Sequence, residues 1–181
     1  MSAADDLRAI GVGDFVEFRG ETTATVGLSR LKRTLENLAK SGYELLLDIS
    51  SVDNMGEEPR FEMVYELATL DDSKHVRVKA KVAEGVEVPT AVHIWKTANW
   101  HEREVYDMMG IEFRDHPQME RILMWEGFPY FPLRKDFPLA GKESEMPDVA
   151  FSGVAPLEGG PFVTSPGSTR ESGEPRAKGE S

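Results

Sequence analysis

Residues 61–82 read FEMVYELATLDDSKHVRVKAKV, and this stretch decides the fold. From Phe61 to Leu67 every second residue is apolar, and the same alternation returns from Val76 to Val82 between basic residues. A period of two is typical of strands that bury one face. The polar turn LDDSKH between them is short enough to join neighbouring strands. The stretch therefore predicts an antiparallel hairpin with one solvated face.

On the N-terminal side of the hairpin, the sequence alternates between helical and strand patterns. Leucines at helical spacing, with Arg and Lys between them, predict an amphipathic helix that lies on a sheet and ends at Gly42. The other predicted elements are a short helix over 3–10 capped by Ser2, a strand over 14–19, a buried strand over 43–49 and a polar loop over 51–60.

On the C-terminal side, residues 89–95 predict a further short strand, and Thr97 or Asn99 can cap a helix that runs to Met109. Gly110 would end that helix in the left-handed conformation. Together these elements predict an α/β (α+β) fold, in which a mixed, mainly antiparallel sheet carries helices packed on one side.

Two units are expected along the chain. Residues 1–142 form the α/β domain, with a distinctive region over 100–138, and residues 143–181 form an extended or disordered C-terminal arm. From residue 151 onward, fifteen of thirty-one residues are Gly, Pro or Ser, and such a composition cannot bury a core of its own.

Composition excludes several classes of function. The net charge of −11 argues against nucleic acid as a ligand. The chain has no cysteine, which excludes a thiol nucleophile and cysteine-ligated iron–sulfur clusters. Because no run of residues is apolar enough to cross a bilayer, we expect a cytosolic protein that reaches a membrane only through partners.

A search for a catalytic site leaves one weak candidate. Glu102, Glu104 and Asp107 could serve acid–base chemistry in a stand-alone hydrolase, but pairing of Arg103 with Asp107 one helical turn away is the simpler explanation. The four histidines are scattered and form no metal-binding motif, so neither a catalytic residue nor a metal site is expected.

The segment 128–138 favours an interface instead. It holds PLRKDFP, in which Arg134, Lys135 and Asp136 lie between prolines and could pair with a neighbouring chain. The alternative is an internal salt cluster that pins the end of this chain to itself. The aromatic residues expected to anchor a partner are Phe128, Tyr130, Phe131 and Phe137.

The strings WHEREVYDMMGIEFRDHPQMERIL and PLRKDFPL, taken in order, resemble the signature of one family of respiratory complex I proteins. This is the family of the C subunit of NADH-quinone oxidoreductase, also called the 30 kDa subunit family. The resemblance extends over residues 1–142. By this resemblance the partner interface would comprise Glu102, Arg103, Glu104, Asp107, Gly110, His116, Pro117, Arg121, Phe128, Tyr130, Phe131, Pro132, Leu133, Arg134, Lys135, Asp136, Phe137 and Pro138.

Membership would imply a structural subunit that carries no cofactor of its own. The family's protein sits against the D subunit, which helps form the quinone cavity, and near the B and I subunits. The whole complex uses FMN and iron–sulfur clusters to move electrons from NADH to quinone, and it pumps protons. The resemblance places this chain peripherally on the cytoplasmic face of the cell inner membrane. A homologous subunit of a membrane-bound hydrogenase or of a ferredoxin:quinone reductase remains an alternative.

Overall fold

A computed structural model describes residues 2–125 and 127–138 of the 181-residue chain. The predicted boundary at residue 142 and the predicted arm over 143–181 lie outside these residues. In chain order the elements are α1 (Ala3–Ala9), β1 (Phe15–Phe18), β2 (Glu21–Thr25), α2 (Leu28–Lys40), β3 (Leu45–Asp53), β4 (Phe61–Ala68), β5 (His75–Val82), β6 (Val88–Pro89), α3 (Ala98–Met109) and β7 (Phe113–Arg114).

Five strands form one sheet in the order β1-β2-β5-β4-β3, and β6 pairs with β7 separately. The β4–β5 hairpin is antiparallel with an unbroken register from Phe61 opposite Val82 to Ala68 opposite His75, as the alternation predicts. The β2–β5 pair is parallel, whereas β1–β2 and β3–β4 are antiparallel. The predicted mixed, mainly antiparallel α+β fold is confirmed.

The core lies between one face of the sheet and the helices. Phe61, Met63, Tyr65 and Leu67 of β4 are at most 2% exposed and pack in the same cluster as the leucines of α2 and the C-terminal half of α3. Burial of this apolar face is the main stabilising contribution to the fold.

The opposite face of the sheet is solvated and carries ion pairs between strands. Arg77 on β5 pairs with Glu66 on β4 and with Glu21 on β2, and Lys79 pairs with Glu62. Partly exposed pairs of this kind contribute little to stability. Their value here is that they keep the second face polar and so fix which face is buried.

Four features differ from the sequence-based predictions. β2 is a strand that the predictions lack, because its polar sequence ETTAT has no apolar alternation. β3 runs on to Asp53, so the polar loop begins at residue 54 and not at 51. The predicted strand over 89–95 is reduced to β6, and turns follow it. Thr97 occupies the N-cap of α3, but its side chain makes no capping hydrogen bond.

Candidate functional site

Gly110 allows the chain to turn sharply at the end of α3. Its backbone is left-handed, with φ 70° and ψ 31°, as expected for a glycine cap. A Cβ atom at this position would lie 2.6 Å from Arg134 Nη2 and 2.6 Å from the ring of Phe131. Glycine is therefore required both for the backbone conformation and for the close approach of Phe131 and Arg134.

Asp107 holds residues 121–124 against the end of α3. Its Oδ2 accepts hydrogen bonds from the backbone N–H groups of three consecutive residues, Ile122 (3.0 Å), Leu123 (2.6 Å) and Met124 (2.9 Å). Arg121 Nη1 donates to Asp107 Oδ1 at 2.6 Å and to the Asp107 carbonyl at 3.0 Å. The Asp107 side chain is fully buried, so its carboxylate makes its hydrogen bonds within the chain.

Burial by itself would raise the pKa of the Asp107 carboxyl. The three backbone N–H groups and the Arg121 guanidinium outweigh burial and lower that pKa below its usual value. The group is therefore ionised at neutral pH.

Arg134 also contacts the turn at Gly110. Its Nε donates to the carbonyl of Met109 at 2.6 Å, and its Nη1 pairs with Glu84 at 2.8 Å. The guanidinium also lies 4.6 Å from the ring centroid of Phe131. The side chain is only 15% exposed. The Arg134 guanidinium is therefore engaged within the chain, as the internal alternative expects, and its contact with a partner stays a prediction.

The segment 131–138, which we call the strap, is fastened to the sheet by a second cluster of charges. Arg60 donates to both carboxylate oxygens of Asp53 at 2.8 Å and pairs with Asp136 at 3.2 Å. The backbone N–H of Lys135 donates to Asp53 Oδ2 at 2.8 Å. Asp136 thus pairs within the chain, but its side chain is still 53% exposed, and its contact with a partner stays a prediction.

The predicted aromatic anchors pack largely on one another. Phe128 is only 8% exposed and lies edge-on to Trp125, Tyr130 and Phe137, with ring centroids 5.7–6.5 Å apart. Phe131 contacts Tyr106 and the guanidinium of Arg121. Phe128 is therefore an internal residue, whereas Tyr130, Phe131 and Phe137 are partly exposed.

Glu102 and His116 form a buried polar pair beneath α3. The Glu102 carboxyl is fully buried and accepts hydrogen bonds from Thr90 Oγ1 and from the Ala91 N–H, both at 2.6 Å. His116 Nε2 lies 3.8 Å from Glu102 Oε2 with its side chain also fully buried. Both side chains are therefore enclosed by this chain, and any effect they have on a partner would be indirect.

The remaining predicted interface residues lie nearer the surface. Arg103 donates to the Glu120 carbonyl at 3.1 Å and lies over Trp100, so the predicted ion pair with Asp107 does not form. Pro132 is half-buried. The exposed residues of the predicted set are Glu104, Pro117, Leu133, Lys135, Asp136 and Pro138.

The three carboxyl groups of the hydrolase alternative do not share a site. Glu102 is bonded to the segment after β6 and Asp107 to the segment after β7, whereas Glu104 is exposed. Within residues 2–125 and 127–138, no three His, Asp or Glu side chains are placed to hold a metal ion. No helix among these residues is long and apolar enough to span a bilayer.

A cleft of mixed polar and apolar lining and two exposed leucines lie around the C-terminal end of α3. A cleft of about 580 Å³ is lined by Tyr106, Met119, Glu120, Arg121, Met124, Gly127 and Phe128. Leu123 is 61% exposed and Leu133 is 59% exposed, and their backbone N–H groups bond to Asp107 and Met108 respectively. We call the cleft together with these two leucines the docking face. The family motif points to Leu123, but the sequence does not show that its side chain faces outward.

A family model described as "Respiratory-chain NADH dehydrogenase, 30 Kd subunit" matches residues 24–143. Among curated relatives, the C 2 subunit of NADH-quinone oxidoreductase from Rhizobium meliloti is 47% identical over 116 residues, which are 64% of each chain. The match therefore spans just under two thirds of that relative. The C subunit of the same enzyme from Citrifermentans bemidjiense is 41% identical over 134 residues, 73% of this chain and 83% of the relative.

Two solved structures share the fold. A trypsin-resistant fragment of Nqo5 superposes with a TM-score of 0.56 at 30% identity, over 64% of this chain and 95% of the fragment. A chain of an archaeal membrane-bound sulfane sulfur reductase superposes with a TM-score of 0.67 at 25% identity, over 75% of this chain and 83% of that chain. With the motif residues gathered around the end of α3, these likenesses show that the chain belongs to the 30 kDa subunit family of respiratory-chain NADH dehydrogenases.

Proposed function

We propose that the chain is a structural subunit of an NADH:quinone oxidoreductase and that its docking face binds the D subunit, which bears the quinone site, with the B and I subunits nearby. It would carry no cofactor and lie peripherally on the cytoplasmic face of the membrane. FMN, the iron–sulfur clusters and the sites for NADH and quinone would belong to other subunits. The chain would support electron transfer by holding its neighbours in place.

The single observation that carries this proposal is the exposure of Leu123 and Leu133, whose backbone N–H groups are hydrogen-bonded to Asp107 and Met108. Large apolar side chains that are held outward by buried hydrogen bonds lose little conformational entropy when a partner covers them. The adjacent cleft offers a concave, methionine-lined surface that can adapt to an inserted side chain. Apolar protrusions beside such a cleft are typical of protein interfaces.

The internal networks support the same proposal. Asp107, Arg121, Arg134 and Gly110 fix the path of the chain on either side of the docking face. The buried polar residues of the family motif would thus position the backbone of the docking face, and Leu123 and Leu133 would contact the partner. Core contacts of stable interfaces are usually apolar and aromatic, with charged groups at the rim.

Aspartate substitutions in the docking face test the proposal. We expect Leu123→Asp and Leu133→Asp each to reduce incorporation of the tagged full chain into a large particle, by about tenfold or more, because a buried charge costs far more than an exposed one. Incorporation would be measured by native mass after mild-detergent extraction from the host. Leu70→Asp is the matched control, because Leu70 is 67% exposed in the β4–β5 turn.

All three variants should melt at nearly the same temperature as the unmodified chain, since each leucine is exposed. Unchanged incorporation of both docking-face variants would overturn the proposal. Equal loss in the Leu70→Asp variant would show that the effect is not specific to this face.

A second candidate is a subunit of a sibling membrane complex with another electron donor. The superposition on a chain of the archaeal sulfane sulfur reductase supports it, because that respiratory complex contains a subunit of this fold. A membrane-bound hydrogenase and a ferredoxin:quinone reductase are the related possibilities. Assays of the isolated particle with NADH, hydrogen and reduced ferredoxin would distinguish them.

A further inference from the structure

The carboxyl group of Glu102 joins two parts of the fold. Glu102 lies in α3, and its two hydrogen-bond donors, Thr90 Oγ1 and the Ala91 N–H, lie directly after β6. Thr90 Oγ1 in turn accepts from the Val92 N–H at 3.2 Å. A fully buried side chain with two contacts of 2.6 Å thus fastens the helix to this segment, which we call the α3–β6 junction.

His116 faces the carboxyl but does not neutralise it. Its Nδ1 accepts a hydrogen bond from the Gln118 N–H at 3.0 Å, so this nitrogen carries no proton. Its Nε2 lies 3.3 Å from the Asn99 carbonyl, which can only accept, so the proton is on Nε2. Burial lowers the pKa of His116, and the charge of Arg103 lowers it further. The ring is therefore neutral.

Tyr65 of β4 is the other titratable group that faces Glu102. The tyrosine is fully buried, and its hydroxyl has no hydrogen-bond partner among the described residues. Burial and the nearby Glu102 carboxyl raise the pKa of Tyr65 well above its usual value, so its hydroxyl stays protonated. Apart from His116, no cationic side chain in the described part of the chain lies within 4.0 Å of the carboxyl.

An ionised carboxylate is poorly matched to these surroundings. A carboxylate offers about four acceptor positions, and only two are filled here by donors. No positive charge among the described residues compensates for the loss of water, and burial of an unpaired charge is strongly unfavourable. A neutral acid avoids the unpaired charge: Oε1 can still accept from the Ala91 N–H, and the acid O–H can donate to Thr90 Oγ1, which reverses the direction of the hydrogen bond between Thr90 and Glu102.

We propose that Glu102 makes the α3–β6 junction pH-sensitive: as a neutral acid it fastens the helix to the segment after β6, and its ionisation destabilises that connection. The step is a reversible loss of one proton from the carboxyl to solvent. It needs no partner subunit and is independent of the docking proposal.

The pKa of Glu102 supports the geometric argument. Burial raises it from 4.5 to about 7, against the opposing effect of the two hydrogen bonds. Since the folded-state pKa lies above the unfolded value, the folded chain holds the extra proton between these two pH values. The contribution of this group to stability is therefore fully present below pH 4.5 and is lost as the pH rises through about 7.

Unfolding of the full chain in urea, measured from about pH 5 to about pH 8, tests the proposal. Glu102→Gln mimics the neutral acid, because its amide can donate to Thr90 while its carbonyl accepts from Ala91. We expect the folding constant of the unmodified chain to fall by about tenfold or more relative to this variant as the pH rises. Glu104→Gln, an exposed position on the same helix, should retain the pH dependence of the unmodified chain.

Parallel pH profiles for the unmodified chain and Glu102→Gln would overturn the proposal. If Glu102→Gln does not fold, the assigned side-chain carboxyl carbon of Glu102 in the unmodified chain can be titrated by NMR. A midpoint near 7 is expected. A midpoint near the ordinary glutamate value of 4.5 would contradict the proposal.

Discussion

At the scale of single residues, the motif of this family is mostly an internal framework. Gly110 leaves room for Arg134 and Phe131, Asp107 accepts three backbone N–H groups, and Arg134 donates to the Met109 carbonyl. The sequence predicts the left-handed glycine because a helical pattern stops there. It cannot predict that Phe131 and Arg134 return to lie against that glycine, because they lie far along the chain from it.

Gly110→Ala should strongly destabilise the chain. A left-handed alanine costs about 1–2 kcal/mol, and displacing Arg134 and Phe131 adds a similar amount, so we expect a loss of about 2–4 kcal/mol in urea unfolding. Gly11→Ala is the matched control, because Gly11 has φ 78° and a Cβ atom there would have no neighbouring atom within 4 Å. Its loss should be only about 1 kcal/mol. Equal losses would show that the close approach at Gly110 is unimportant.

Asp107→Asn should also destabilise the chain, because the amide places N–H groups against Arg121 or against the backbone donors of residues 122–124. Breaking one partner of a buried ion pair typically costs about 3–5 kcal/mol. Because the folded-state pKa of Asp107 is lowered, its contribution is present above the ordinary pKa and is lost as the pH falls through the folded value. Urea unfolding measures the effect, and a variant as stable as the unmodified chain at neutral pH would contradict this role.

At the scale of elements, the sequence predicts the helices and strands whose own residues follow an apolar period. The β4–β5 hairpin and α2 follow from alternation and helical spacing, and both are confirmed. The sequence does not predict β2, because ETTAT carries no apolar pattern of its own. The strand forms through its pairing with β1 and β5. Helical spacing of i to i+4 favours Arg103 as the ion-pair partner of Asp107. In the structure Arg121, which lies outside the helix, is the partner instead.

The strap should loosen when its anchor on the sheet is removed. The Arg60 guanidinium lowers the pKa of Asp53, so this carboxylate stays charged well into the acid range and its contribution is lost only as the pH falls below the ordinary value. Asp53→Asn should therefore speed amide hydrogen exchange at the Lys135 N–H by about tenfold, because that bond is weakened. Exchange in α1 should not change, and unchanged exchange at Lys135 would argue against the anchor.

Arg134→Ala should lower the stability of the isolated chain by about 1.5–3 kcal/mol, because its bonds to Met109 and Glu84 join the strap to α3 and to the loop after β5. Lys135→Ala, with an exposed side chain, should change stability by less than about 0.5 kcal/mol. Thermal unfolding of both variants measures the difference. An Arg134→Ala chain that melts like the Lys135→Ala chain would restore the interface interpretation of this arginine.

At the scale of the whole molecule, the described residues separate a buried charged framework from the surface that we propose binds a partner. The buried charges shape the end of α3, and the apolar side chains of the docking face project from it. The motif is enough to predict the family, but it does not separate these two roles, because burial depends on how distant segments pack. For that reason the predicted interface contains buried residues such as Glu102 and does not include Met119 and Met124, which line the proposed docking face.

The most direct test of the central claim, that this chain is a docking subunit, is purification of the tagged full chain from its host in mild detergent. Native mass and NADH:quinone reductase activity would be read on the same chromatographic peak. We predict a large particle that oxidises NADH and reduces quinone. A single species at the chain mass of 20.2 kDa, with no partner attached, would contradict the account.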